Sequence, residues 1–157
     1  MPRLGIARGR SDESLESSAC VLEIARSVFD QMIAHAQREL PIEACGYLAK
    51  KGRIVVRHYP LKNMDGSGTH FSFNPQDQFE AVRDMRSLGL KPAVVYHSHP
   101  TTPARASQED IRLAKDPAMN YVIISLSGDS PKVVVFRIRE NRVELGVVRV
   151  IDDAHIC

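Results

Sequence analysis

The chain has 157 residues, of which 43% are hydrophobic and 25% are charged, a composition typical of a globular domain with one core. Its formal net charge of +2 argues against a partner that is nucleic acid or a membrane surface. No apolar run reaches the roughly twenty residues that a membrane-spanning helix needs. Three cysteines, an odd number, do not predict a disulfide framework, and we therefore expect a cytoplasmic protein.

Both strands and helices are predicted along the chain. Residues 1–19 are rich in Ser, Arg, Gly and Glu and predict a disordered extension. We expect the folded domain over residues 20–151 and a short tail at 152–157. Alternating and β-branched segments predict strands at 20–24, 46–50, 54–59, 92–96, 121–126, 132–138 and 143–150.

Three helices are predicted from apolar positions that recur every three to four residues. The first has Ser27 as its expected N-cap, ends at Pro41 and has an apolar face made of Phe29, Met32, Ile33, Ala36 and Leu40. The second is stopped by Gly89 and has an apolar face made of Phe79, Val82, Met85 and Leu88. The third follows Ser107. This order predicts an α+β, α/β-like fold in which a curved mixed sheet is flanked by about three helices.

The most informative segment is His97-Ser98-His99-Pro100, which follows the apolar strand predicted at 92–96. Residues i and i+2 of an extended chain point to one face, so His97 and His99 can converge while Ser98 points away. Pro100 favours extended geometry at the residue before it. Two imidazoles and the carboxylate of Asp110 can hold a tetrahedral zinc ion and leave one position open for water, as catalytic sites do.

The histidine pair followed by Ser107 and Asp110 resembles the motif of the JAMM (MPN+) metalloproteases, and Glu43 in Glu-Ala-Cys-Gly matches the glutamate of their compact prokaryotic members. The resemblance extends over residues 21–150. It implies one zinc ion per chain, held by His97, His99 and Asp110. It also implies that Glu43 is the general base and that Ser107 stabilises the oxyanion.

The same resemblance implies the JAMM/MPN (cytidine-deaminase-like) architecture and the activity of a zinc metallopeptidase. The expected reaction is hydrolysis next to the C-terminal Gly-Gly of a small ubiquitin-like or sulfur-carrier protein. The polar segment 63–73 is a candidate edge on which an extended substrate could pair, with a plain surface loop as the alternative.

Other interpretations of the same residues stay open. Ser107 and Asp110 could form only a helix cap, worth about 1 kcal/mol. A non-catalytic MPN scaffold would need no turnover, and a structural metal module would need a fourth protein ligand, for which Cys45 and His70 are the candidates. The remaining histidines are expected to be surface or hydrogen-bonded core residues.

Overall fold

A computed structural model describes residues 20–156, so the predicted extension 1–19 lies outside the described residues. Within 20–156 the chain forms seven strands: β1 (Cys20–Ala25), β2 (Cys45–Lys51), β3 (Ile54–Leu61), β4 (Lys91–His99), β5 (Asn120–Ser125), β6 (Lys132–Arg139) and β7 (Arg142–Ile151). The same range contains three α-helices: α1 (Arg26–Arg38), α2 (Pro75–Ser87) and α3 (Gln108–Leu113). No helix among these residues is long and apolar enough to cross a membrane.

The seven described strands form one mixed sheet in the order β1-β3-β2-β4-β5-β6-β7. Strand β1 is parallel to both β3 and β7, and β4 is parallel to β5, whereas the other pairs are antiparallel. Because β1 also pairs with β7, the sheet closes into a barrel. The predicted class, a curved mixed sheet with three helices, is confirmed. The closure of the sheet into a barrel was not predicted.

The main core lies between α1 and the sheet. From α1, Val28, Met32 and Ala36 are buried against apolar residues of the strands, among them Leu48 and Val94. Burial of a valine, leucine or methionine side chain stabilises a domain by about 1.5–3 kcal/mol before entropy losses are counted. The core thus holds β2 and β4, the two strands that lead to the candidate site, in a fixed register.

Two predicted details of α1 are wrong. The helix begins at Arg26 with Ala25 as its N-cap, so Ser27 does not cap it. Instead, the Ser27 amide and hydroxyl both donate to the Asp153 carboxylate. This contact arises because Ala25 is the register partner of Ile151, which brings the residues after β7 to the start of α1. Leu40 lies beyond the end of the helix and is 47% exposed.

The predicted apolar face of α2 is also partly wrong. Phe79 and Leu88 are 67% and 48% exposed, whereas Ala81 and Met85 are buried. Residues four apart share one helix face, so α2 contacts the sheet along a narrow stripe centred on Ala81 and Met85. Phe79 lies outside that stripe.

A buried polar cluster lies in the core beside β4. The Tyr96 hydroxyl is 2.7 Å from His35 Nδ1 and 2.6 Å from His58 Nε2, so it donates to one imidazole and accepts from the other. Burial lowers the pKa of both histidines, that of His58 to about 4. Both rings are therefore neutral in the folded protein at neutral pH, and they are hydrogen-bonded core residues as predicted.

The contribution of His58 to the free energy of unfolding should fall as the pH is lowered from about 6.5 to about 4. The folded-state pKa of His58 lies below its unfolded value, so the unfolded chain binds protons that the folded chain does not. The stabilisation is complete above pH 6.5 and is lost towards pH 4. His58→Gln keeps a partner for Tyr96 but cannot titrate, so it should remove this contribution, which urea denaturation measures as a difference in pH dependence between the variant and the wild type. If the free energy of unfolding depends on pH in the same way in His58→Gln and in the wild type, His58 makes no such contribution.

Candidate metal centre

The site is built where the start of β2 lies beside the end of β4. Cys45 is the register partner of His97 in this antiparallel pair. One residue further on, Ser98 is fully buried: its amide donates to the Ala44 carbonyl at 2.9 Å, and its hydroxyl accepts from the Ala44 amide at 2.8 Å. Ser98 thus points away from the histidines, as predicted, and fastens the residue next to Glu43 to the histidine strand.

Three side chains converge at this end of β4. His97 Nε2 and His99 Nε2 are 3.1 Å apart, and they lie 3.1 and 3.2 Å from the two carboxylate oxygens of Asp110. Both imidazoles are almost fully buried, and the Asp110 side chain is 12% exposed. In residues 20–156 these three form a group that could hold a metal ion.

Contacts outside the group orient two of its members. His99 Nδ1 lies 2.9 Å from the Pro103 carbonyl, to which it donates, so Nε2 is the nitrogen that faces the centre of the group and could bind a metal ion there. Ser107 caps α3: its hydroxyl accepts from the Asp110 amide at 3.0 Å, and its own amide donates to Asp110 Oδ2 at 2.9 Å. The predicted cap is therefore present, and it fixes Asp110 on the first turn of α3.

The carboxyl group of Asp110 is held in its ionised form. Burial alone would raise its pKa, but the hydrogen bonds of His97 and His99, together with the Ser107 amide, hold that pKa well below its usual range. Burial would lower the pKa of His99, and the contacts with Asp110 and the Pro103 carbonyl reverse the effect and raise it. The group is thus a compact arrangement of a negative carboxylate and two nitrogen donors.

Glu43 directly precedes Ala44, whose backbone is bound to Ser98 between the two histidines, and it is only 4% exposed. Burial raises the pKa of its carboxyl group to about 7, with the charge of His99 opposing the shift and that of Asp110 adding to it. A carboxyl whose pKa lies near neutrality can both accept and release a proton, which a general base that later acts as an acid requires. A bound divalent cation would favour its ionised form.

The two candidates for a fourth protein ligand lie outside the group. The thiol of Cys45 is directed at the Leu61 carbonyl, 3.7 Å away, and burial raises its pKa to about 12. His70 contacts Asp65 at 3.1 Å on an exposed loop. Within the described residues the group therefore has three protein donors, which leaves one position of a tetrahedral ion free.

The segment 63–73 covers one side of the site as a loop, without strand pairing in the described structure. The Phe71 ring stacks on His97, with 4.8 Å between the ring centroids and 25° between their planes. Beside this stack lies a cavity of about 430 Å³ lined by His97 and Asp110 and by mainly apolar residues, including Tyr47, Phe73, Leu113, Tyr121 and Phe136. The site thus has an apolar cavity next to the three candidate metal donors.

Three contributions to this site could not be predicted from the sequence. Ser98 links the two strands, Phe71 stacks on a histidine, and Asn63 organises the loop through its buried amide. Each has a contact with a residue at least 20 positions away in the chain, and only the position of Ser98 between the histidines was a signal. The five predicted site residues lie in one region, with Ser107 contributing as the cap of α3.

Comparison with known proteins assigns the family. Residues 25–139 match the family of prokaryotic homologs of the JAB domain. The chain belongs to this family. This membership confirms the resemblance to the JAMM (MPN+) proteins.

The chain is also similar to individual known proteins. The chain is 37% identical over 107 residues to the CysO-cysteine peptidase of Mycobacterium tuberculosis, covering 67% of this chain and 73% of the relative. It is 35% identical over 109 residues to a probable TtuB-protein conjugate cleaving protease of Thermus thermophilus, covering 69% and 72%. The solution structure of DSY2949 from Desulfitobacterium hafniense superposes with a TM-score of 0.77 at 40% identity, covering 87% of this chain and 97% of DSY2949.

Removal of any one donor should empty the metal site. We expect His97→Ala, His99→Ala and Asp110→Ala each to lose most of the bound metal, because two remaining donors hold a divalent ion weakly. His58→Ala and His155→Ala, which change histidines outside the group, should retain it. Metal per chain is measured by inductively coupled plasma mass spectrometry. Full occupancy in Asp110→Ala would reduce Asp110 to a capping residue.

Proposed function

We propose that the protein is a zinc-dependent peptide or isopeptide hydrolase that cleaves next to the C-terminal Gly-Gly of a small ubiquitin-like or sulfur-carrier protein. The observation that carries the proposal is a group of three donors placed beside a buried carboxyl group, Glu43. The names of the two relatives, a CysO-cysteine peptidase and a TtuB-protein conjugate cleaving protease, support a hydrolase that acts on bonds to another protein.

The donor set suits one zinc ion per chain. Two nitrogens at about 2.0–2.1 Å from a tetrahedral ion are separated by about 3.3 Å, close to the 3.1 Å between the two Nε2 atoms. His97, His99 and Asp110 would hold the ion. When bound, zinc supplies a Lewis acid that polarises the scissile carbonyl and makes a water molecule acidic at neutral pH.

The chain's own residues then move the proton and stabilise charge. The Glu43 carboxylate takes a proton from the attacking water and passes it to the leaving amine. The Ser107 hydroxyl accepts from the Asp110 amide through its oxygen, so its own proton is available to the developing oxyanion. No acyl-enzyme forms, and the buried thiol of Cys45 takes no part.

The substrate tail would run past the donors in extended form, with the apolar cavity on its path. Glycines at the scissile bond have no Cβ to collide with the closely packed rings of His97 and Phe71. The cavity is lined by His97 and Asp110 but, within residues 20–156, not by Glu43. Since the leaving amine must lie next to Glu43, the cavity suits a side chain of the carrier tail on the other side of the scissile bond.

The alternatives explain less of the site. A non-catalytic scaffold needs neither a buried carboxyl group nor an open position, yet this chain has both. A structural metal module needs four protein donors, whereas the described group has three. Two free buried thiols, Cys20 and Cys45, suit a reducing compartment, and on that ground we propose a cytoplasmic location.

Replacement of the proposed base should separate metal binding from turnover. Glu43→Gln keeps the shape of the side chain but cannot accept a proton, so we expect zinc to be retained and turnover to fall by about 10²–10⁴-fold. The measurement is the rate of release from a carrier fusion by intact mass, with zinc determined on the same sample. Comparable activity of Glu43→Gln and the wild type would refute the mechanism.

The substrate assignment is tested by changing the tail alone. A fusion whose carrier ends in Gly-Gly should be cleaved, and replacement of Gly-Gly by Val-Val should abolish cleavage, because branched side chains cannot pass the closely packed rings. Unfolded casein should be cut poorly, and a chelator should stop all cleavage. Equal cleavage of casein and the fusion would show a general peptidase without preference for this tail.

A further inference from the structure

The loop 63–73 is organised by one buried amide. Asn63 is 9% exposed, and its side chain lies between the loop and the segment that carries Glu43. Its Nδ2 lies 3.1 Å from the Glu43 carbonyl and within hydrogen-bonding distance of two loop carbonyls, those of His70 at 3.0 Å and Ser67 at 3.3 Å. The amide nitrogen therefore ties the backbone of Glu43 to the loop.

The other end of the same amide closes the loop. Asn63 Oδ1 accepts from the Asp65 amide at 3.0 Å and from the Ser72 amide at 3.4 Å. Carbonyls surround the nitrogen and amides surround the oxygen, so the orientation of the side chain is unambiguous. A carboxylate would offer no donors and an aliphatic side chain would offer neither donors nor acceptors, so an amide is the group that this position requires.

Two further contacts place the loop directly against the Glu43 segment. The Glu43 amide donates to the Ser67 carbonyl at 2.8 Å, so both backbone polar groups of Glu43 are bound by elements that Asn63 organises. At Gly68, a Cβ atom would lie 2.7 Å from the Pro41 carbonyl oxygen. The absence of a side chain at Gly68 is what allows this close approach of the two backbones.

We propose that Asn63 is the positioning residue for Glu43 and for the loop that covers the metal centre. This inference rests on the proposed function, because it assigns Glu43 the role of base. Among the described residues, Asn63 has hydrogen bonds to the Glu43 backbone and to the loop and none to the three donors. It acts through the Glu43 backbone on one side and, through the loop, on Phe71, which stacks on His97.

The variant to test is Asn63→Ala, with Asn120→Ala as the matched control. Asn120 is also a partly buried asparagine whose amide donates to a backbone carbonyl of β4, that of Ala93 at 3.2 Å, but it lies at the end of β4 away from the histidines. Both variants remove an amide that ties to a backbone carbonyl. Asn63 is bound to the Glu43 backbone and to the loop, whereas Asn120 is bound to Ala93 and accepts from the Cys20 thiol.

For Asn63→Ala we expect zinc to be retained, KM to change little and kcat to fall by about 10–100-fold, the usual effect of losing an orienting contact in a metal site. Amide hydrogen exchange should accelerate at Glu43 and Ser72. Asn120→Ala should retain kcat and the slow exchange of those two amides, even if its melting temperature falls. If Asn63→Ala does not fold, Asn63→Ser is the second variant, because it leaves a smaller cavity but also lacks the paired donors of the amide. We expect the same changes in kcat and in hydrogen exchange from it.

Three outcomes would overturn the positioning role: an unchanged kcat, a rise in KM alone, or unchanged exchange at the Glu43 amide. Failure of the proposed function is separately visible, since the wild type would then release nothing from the Gly-Gly fusion. In that case amide hydrogen exchange alone tests whether Asn63 positions Glu43. Accelerated exchange at Glu43 in Asn63→Ala but not in Asn120→Ala supports the positioning role, and equal exchange in both variants refutes it.

Discussion

Two hydrogen bonds between Ala44 and Ser98 join the two halves of the site, although the residues are 54 positions apart in the chain. They extend the antiparallel pairing of β2 and β4 by one step beyond Cys45 and His97. A slip of one residue would turn the histidines to the opposite face of the sheet. The buried core below β2 and β4 opposes such a slip, so packing remote from the site keeps Glu43 beside His97 and His99.

Each of the three candidate metal donors also has a contact outside the group. His99 donates to the Pro103 carbonyl, Asp110 is fixed by the cap of α3, and His97 is covered by Phe71. Donors that are already oriented lose little entropy when an ion binds. Burial of the Glu43 carboxyl disfavours its charged form and so lowers the stability of the folded protein. The apolar core elsewhere in the fold must offset this loss.

Local patterns predicted the parts of the site that depend on neighbours in sequence. The alternation of His97 and His99 follows from an extended chain, and the cap at Ser107 follows from its spacing to Asp110. Glu43 could be assigned only through the family resemblance, because strand register is not visible in one sequence. The errors at Ser27 and Phe79 have the same origin: barrel closure brings a distant carboxylate to α1, and tertiary packing decides which face of α2 is buried. Asn63 is typical of turns and so gave no sign of its buried role.

The central claim is an open metal centre with two histidines and one carboxylate from the protein. X-ray absorption spectroscopy of the zinc-loaded protein at the zinc edge measures this directly. We predict nitrogen and oxygen donors at about 2.0–2.1 Å, including two imidazoles, and no sulfur at about 2.3 Å. The spectrum should change when a small anion displaces the exchangeable ligand. A sulfur donor would contradict the account, because it would place Cys45 on the metal. A spectrum of four protein ligands that no anion alters would contradict it as well.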